Sequence, residues 1–234
     1  MSLIVGVDGA PGGWLVVGIR GGEWVCRLFE SFEALWSEYG AAELILVDVP
    51  IGLPEDAPRD CDRAARDRLG ARGSSVFPVP TRAALACEDR EAASVVNERL
   101  VGNRISIQSW ALAPRIREVD RLLRSEPRAR GTVAEAHPEL CFAGLNGGEP
   151  MAHSKQDPGG LDERLAVLSS RFEGSEAIYD HVLDRFLRKE VSRDDALDAL
   201  ALAVSGATGD LASVPEIPPT DAHGLPMRIV YPDP

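Results

Sequence analysis

Three carboxylates stand inside apolar segments of this chain. Asp8 closes the run Leu3-Ile4-Val5-Gly6-Val7, Asp48 closes Leu44-Ile45-Leu46-Val47, and Asp198 interrupts Ala196-Leu197-Asp198-Ala199-Leu200-Ala201. An ionised carboxylate is costly to bury unless a cation meets it. Positions three and four away from Asp198 on a helix hold Asp194, Asp195, Ala201 and Leu202, so its own helix offers no cation. Convergence of the three groups on divalent ions is one solution, and Mg²⁺ or Mn²⁺, which prefer oxygen ligands, is the expected metal. Two such ions held by carboxylates can hydrolyse a phosphodiester. Asp195 shares a helical face with Asp198 and is a fourth candidate, although it also stands three after Ser192, where it could cap the helix. Asp8 before Gly9-Ala-Pro-Gly-Gly13 and Asp48 before Pro50 could instead be turn-formers.

Other groups could serve an anionic substrate. Arg72, Ser74, Ser75 and Arg82 flank a Gly- and Pro-rich stretch and could donate to a phosphate; the alternative is a Pro-fixed surface connection. Glu135 could be a further metal-site carboxylate, and His137 a proton shuttle, an orienting donor or a hydrogen-bonded structural histidine. His153, His181 and His223 show no metal-ligand spacing and read as surface or loop residues.

These groups need elements to hold them. Apolar runs with turn signals predict strands over 3–8, 13–20 and 23–30, an antiparallel meander. A helix follows from Ser31 to Tyr39, then a strand over 43–49 that is apolar on both faces, as a central parallel strand should be. An Arg-rich helical section occupies about 56–127, with helices over 59–69, 81–101 and 108–124, the last kinked or broken at Pro114. A strand over 132–136, a short helix to Leu145, a loop over 146–160 and helices over 161–172 and 175–189 come next. Ser192 caps a helix to about Ala207, and a final strand lies near 227–231. Three strands, helix, strand, helical insertion, strand and C-terminal helix is the order of the RNase H-like fold. The expected architecture is therefore α/β: one domain over 1–234, with a mixed five-stranded sheet flanked by helices. In that fold the catalytic carboxylates lie on the first strand, the fourth strand and the last helix, where Asp8, Asp48 and Asp198 fall.

Composition limits the partners. The net charge of −12 argues against indiscriminate binding to nucleic acid. Yet residues 59–130 carry 15 Arg against 10 Asp and Glu, a net of +5 that leaves −17 for the rest. Those arginines either present an anion-attracting face or pair with neighbouring acids. No apolar run approaches the ~20 residues needed to span a bilayer. The N-terminus lacks the pattern of a secretory signal, and Cys26, Cys61, Cys87 and Cys141 show no CxxC spacing. A cytoplasmic protein with free thiols and no membrane partner is expected.

The motifs VGVDGAPGGW (5–14), VDVPIGLP (47–54), RDCDRAARDRLGARGSSVFPVPTRAAL (59–85), QSWAL (108–112), EVD (118–120), EAHPELCFAGLNG (135–147), SK (154–155), DDALDALALA (194–203) and DAHGLPMRIVYP (221–232) resemble, in order, the domain-of-unknown-function 429 family. Its members are described as predicted RNase H-like nucleases. The last-helix segment is also similar to the DxxDALA pattern of RuvC-type resolvases, where such residues bind catalytic metals; those sites carry Glu on the fourth strand, where this chain has Asp48. The resemblance implies a metal-dependent nuclease or phosphodiesterase. Asp8, Asp48, Asp195, Asp198 and Glu135 would form its centre, Lys155 would join the substrate-binding residues, and the partner would be nucleic acid or a small phosphorylated ligand. RuvC-like folds often pair, so a homodimer is in keeping with it. A nucleotide-binding phosphotransferase or hydrolase of actin-like type, with a phosphate in the glycine-rich turn after the first strand, is the second reading. A non-catalytic binding protein on the same fold is the third.

Overall fold

The computed structural model describes residues 2–155, 157 and 159–234. Of the expected loop 146–160, Gln156 and Pro158 therefore lie outside the described residues. The chain begins with a meander, β1 (Ile4–Ala10), β2 (Gly13–Arg20) and β3 (Glu23–Phe29), followed by α1 (Phe32–Tyr39) and β4 (Leu44–Val47). The insertion contains α2 (Asp60–Leu69), a 3₁₀ turn over Gly70–Ser75, α3 (Arg82–Leu85), α4 (Arg90–Val101), α5 (Ile107–Ala111), α6 (Ala113–Ser125) and α7 (Ala129–Thr132). Then come β5 (Val133–Glu135), α8 (Pro138–Leu145), α9 (Gly160–Arg171), α10 (Ser175–Arg185), α11 (Arg193–Ala207), β6 (Leu211–Val214) and β7 (Ile229–Pro232).

The main sheet has the order β3-β2-β1-β4-β5. The β1–β2 and β2–β3 pairs are antiparallel, whereas β1–β4 and β4–β5 are parallel. This is the RNase H-like arrangement. Alternate residues supply two separate cores, as the period of two requires. Val5, Val7, Ile45, Val47 and Val133 face a layer built by Phe32 and Leu35 of α1 with Ile116 and Val119 of α6. On the other side Leu15, Val17 and Ile19 meet Leu197 and Leu200 of α11, with Ile178 and Val182 of α10.

Small residues set the approach of α11 to β1. A Cβ on Gly6 would lie 2.2 Å from the Ala199 carbonyl oxygen and 2.3 Å from the Ala203 nitrogen. Only glycine lets the helix backbone come this near, and this contact carries Asp198 toward the end of β1. The start of α11 is fixed by a reciprocal cap. Ser192 Oγ accepts from the Asp195 N–H at 3.1 Å, and an Asp195 oxygen accepts from the Ser192 N–H at 2.8 Å. Ser192→Ala is expected to cost about 1 kcal/mol, or roughly 2–4 °C in a chain of this size. An unchanged thermal midpoint would mean that the cap contributes nothing.

Element boundaries depart from the sequence expectation in several places, α7 and an α10 that ends at Arg185 among them. The helix expected over 81–101 is two helices, because Thr81 and Asp89 each act as an N-cap. Pro114 stands in the first turn of α6, so it starts a helix after the Leu112 break. β6, which the pattern did not reveal, pairs antiparallel with β7.

The arginines of the insertion act mostly as internal braces. Arg66 donates to the Val76 carbonyl, Arg90 to that of Ile105, Arg117 to those of Leu85 and Cys87, and Arg130 to those of Leu123 and Arg124. Others meet acids, as in Arg63–Asp60 and Arg104 with Glu91 and Glu98. Both kinds of bond hold these side chains against the fold, and only Arg59, Arg63, Arg82, Arg104 and Arg124 of the segment meet an acid among the described residues.

Candidate metal and substrate site

The parallel pair β1–β4 sets Val7 beside Val47, and the Asp48 N–H donates to the Val7 carbonyl at 3.1 Å. Asp8 and Asp48 therefore lie at one level on adjacent chain segments, just where the parallel β1–β4 pairing ends. α11 crosses above them and adds Asp198, one turn after Asp195. Asp8 is buried, and its pKa is raised well above the usual carboxylate range, first by burial and then by the charges of Asp198, Asp48 and Asp195. Burial pushes Asp48 up to about 6, against the pull of Lys155. Asp198 is likewise pushed up to about 6, by burial and then by Asp48, again opposed by Lys155. The three carboxylates of the sequence motif thus share one electrostatic environment.

The cation that the helix could not offer comes from the loop after α8. Lys155 Nζ donates to both oxygens of Asp198, at 2.6 Å to Oδ2, and stands 4.0 Å from Glu139. Burial works against its charge, but Asp198 outweighs it and the lysine pKa is raised. Arg164 Nη2 donates to both Glu139 oxygens at 2.8 and 2.9 Å, so that acid has a fully buried partner. An open cavity of about 350 Å³ lies above Asp198, lined by Asp48, Ser74, Ser75, His137, Glu139 and Lys155 among others.

His137 follows β5 and borders this cavity. Its Nε2 is 3.4 Å from the Ser75 carbonyl oxygen, which places the proton on Nε2 and leaves Nδ1 as an acceptor. Nδ1 is buried without a hydrogen-bond partner in the described structure. Burial lowers the pKa of the ring, which favours this neutral, proton-accepting form.

Several candidates take other roles. Glu135 pairs in register with Val47, not with Asp48, so it points to the opposite face of the sheet from Asp8. There it accepts from the Ile51 N–H at 2.7 Å and from both Nη atoms of Arg59 at 2.8 and 2.7 Å. Arg59 also holds Asp62, and these two acids outweigh burial and keep the guanidinium charged. The expectation of Glu135 as a metal-site carboxylate is corrected on this ground. Arg82 is engaged by Asp120 at 2.8 Å and Asp221 at 2.5 Å, and it does not line the cavity. Arg72 does line it, but its Nε and Nη2 donate to the Met151 and Ala152 carbonyls. Ser74 is exposed there, and the Ser75 hydroxyl donates to the Arg72 carbonyl. The glycine-rich turn after β1 is filled from inside the protein: Arg115 donates to the Ala10 and Gly13 carbonyls, and a Cβ on Gly9 would meet its side chain. The Gly12 N–H of the same turn donates to the Glu190 carbonyl at 2.8 Å.

Lys155–Asp198 and the Glu139–Arg164 brace join residues far apart in sequence, so spacing gave no sign of either pair. The donor set suits a hard divalent ion: Asp8, Asp48 and Asp198 with the Asp195 oxygen left by the cap, four carboxylates against one ammonium. As placed, however, no group of three His, Cys, Asp or Glu side chains among the described residues closes on one point that could hold a metal. Lys155 occupies the Asp198 oxygens that an ion would need.

Fold and site together define an α/β protein of RNase H-like architecture with a carboxylate cluster at the mouth of its parallel strands. A family model described as "Protein of unknown function (DUF429)" matches residues 6–220, and the chain belongs to that family. No curated protein and no solved structure matches it. Among the described residues no helix is long and apolar enough to cross a membrane.

Proposed function

We propose that this protein is a Mg²⁺- or Mn²⁺-dependent phosphodiesterase of nuclease type. The observation that carries the reading is the meeting of Asp8, Asp48 and Asp198, from the end of the parallel β1–β4 pairing and one helix, beside a cavity with cationic and hydroxyl donors. Asp8, Asp48 and Asp198 would hold the metal, with Asp195 in support. Such ions supply Lewis acidity to a phosphodiester and make water a better nucleophile. The chain's own residues bind and orient the substrate. Lys155 and Ser74 donate to phosphate oxygens, and His137, neutral and partly buried, forms part of the cavity wall.

The insertion's arginines are largely committed to carbonyls and acids, which favours a substrate gripped at one or two phosphates over a long duplex. A short nucleic-acid strand or a small phosphorylated ligand fits this footprint. Four free cysteines, three of them buried, suit a reducing cytoplasm.

Calorimetric titration of Mn²⁺ into wild type and Asp48→Asn tests the reading. Saturable binding that the mutant loses at least tenfold is expected, together with Mn²⁺-dependent cleavage of a short oligonucleotide or of bis(p-nitrophenyl) phosphate by wild type alone. Equal binding by both proteins, or cleavage that Asp48→Asn retains, would refute it.

A further inference from the structure

The Lys155–Asp198 pair conflicts with metal binding at the same carboxylate, and the conflict has a chemical use. We propose that Lys155 is the resident counter-ion of the site, and that an anionic substrate group draws it off Asp198 so that divalent-ion binding is coupled to substrate binding. This inference rests on the metal-site reading above.

The loop that presents Lys155 is braced from both sides. Arg72 holds the Met151 and Ala152 carbonyls, and Glu163 accepts from the Ala152 and His153 N–H groups at 2.8 and 2.9 Å. Arg164 donates to the His153 and Gly160 carbonyls, each at 3.0 Å, and anchors itself on Glu139. Asp157 accepts from the Ser154 N–H at 2.8 Å. With the backbone held, the mobile part is the lysine side chain, four methylenes carrying an ammonium with three donors. Lys155, Asp198, Ser74 and Ser75 all line the same cavity.

The charge balance favours exchange. Lys155 answers Asp198 first and then Glu139 and Asp48, and a divalent ion would neutralise more of the Asp198 and Asp48 charge than one ammonium does. To enter at Asp198, the ion must displace the bonds from Lys155 to both Asp198 oxygens and leave the ammonium only Glu139 at 4.0 Å, an acid already held by Arg164. A tetrahedral oxyanion in the cavity supplies the missing partner. Ion and anion then enter together more easily than either alone. Such coupling is reciprocal, so the anion tightens the metal by the factor with which the metal tightens the anion, commonly 5–150-fold.

The test measures free Mn²⁺ by electron paramagnetic resonance, with and without inorganic phosphate, at Mn²⁺ levels below precipitation and at matched ionic strength. Wild type should bind Mn²⁺ weakly, and phosphate should tighten it about tenfold. Lys155→Gln should bind Mn²⁺ about tenfold more tightly without phosphate and lose the phosphate effect. Lys155→Arg keeps the cation and should behave as wild type, and far-UV circular dichroism checks each fold. Lys155→Gln affinity equal to wild type, or an equal phosphate effect in both, overturns the coupling. If Asp48→Asn still abolishes Mn²⁺ binding in that case, the metal site stands and only the coupling falls. If none of the proteins binds Mn²⁺, both fall.

Discussion

Asp8→Asn is expected to make the metal-free protein more stable than wild type at pH 8, with the difference vanishing below pH 4. Asp8 is 9% exposed and has three carboxylates, Asp198, Asp48 and Asp195, as its charged neighbours. Its folded-state pKa is raised, so the neutral form is the one the fold accepts. A raised carboxyl contributes stability that is fully present below the unfolded pKa of 3.8 and is lost as pH rises through the folded value. Asp48 and Asp198, pushed up to about 6, set the same sign for the window between about 4 and 6. The repulsion among the three is shared, so relieving it at one carboxyl also eases the other two. Asparagine keeps the shape and still accepts a hydrogen bond from the Gly9 N–H, but never ionises.

Urea denaturation in EDTA at pH 4, 6 and 8 gives the difference directly. Adding Mn²⁺ should reverse the order at pH 8. At a hundredfold excess over its dissociation constant an ion bound only to the native state adds about 2.7 kcal/mol to wild type, and the mutant should gain almost none. A mutant destabilised equally at every pH, with the same response to Mn²⁺ as wild type, would show that Asp8 is a turn-forming residue. Asp198 is the less clean site for this experiment. Its sequence context offers no cation, but in the structure Lys155 bonds both of its oxygens. Neutralising it would leave the ammonium with Glu139 at 4.0 Å.

What the sequence could and could not reveal follows from the range of the interactions. The meander, the buried fourth strand and the Ser192 cap depend on neighbours within a few residues, so their signals are local. The carboxylates were legible because a charge inside an apolar run violates the pattern around it. Asp195 takes the capping role that its spacing from Ser192 offered, and its charge is also felt at Asp8. The partners of Lys155, Arg82 and Arg72 lie 43, 139 and about 80 residues away, where no periodicity reaches. β6 escaped because its residues are only half-buried and its pairing partner lies at the end of the chain. Glu135 is the instructive case. It sits on the expected strand, two residues before His137, yet the face it uses depends on a register between β4 and β5 that only the assembled sheet defines.

That register yields the second large effect. Arg59→Met is expected to cost about 3–5 kcal/mol, a fall of roughly 10 °C in Tm for a chain of this length. The guanidinium is almost wholly buried and bonds Glu135, Asp62 and the Ile51 and Gly52 carbonyls. Its removal strands two acids whose side chains are 5% and 6% exposed. A buried ion that loses its partner costs more than the pair contributed, because the remaining charge stays desolvated. Glu135→Gln should cost less, about 1–3 kcal/mol, since glutamine can still accept from the Ile51 N–H and Arg59 retains Asp62. The double variant should be more stable than Arg59→Met alone at pH 8, because burial raises Glu135 to about 7 even beside Arg59 and glutamine removes the ionisable group altogether. The same variants separate structure from chemistry. Glu135 lies on the face of the sheet away from Asp8, so Glu135→Gln should lower Tm while leaving Mn²⁺ affinity within about twofold of wild type. Loss of Mn²⁺ binding at unchanged Tm would return Glu135 to the metal site. A mild Arg59→Met with a normal Tm would mean that water reaches the acids. Either result would contradict the ion-pair network through which the insertion is fastened to β5.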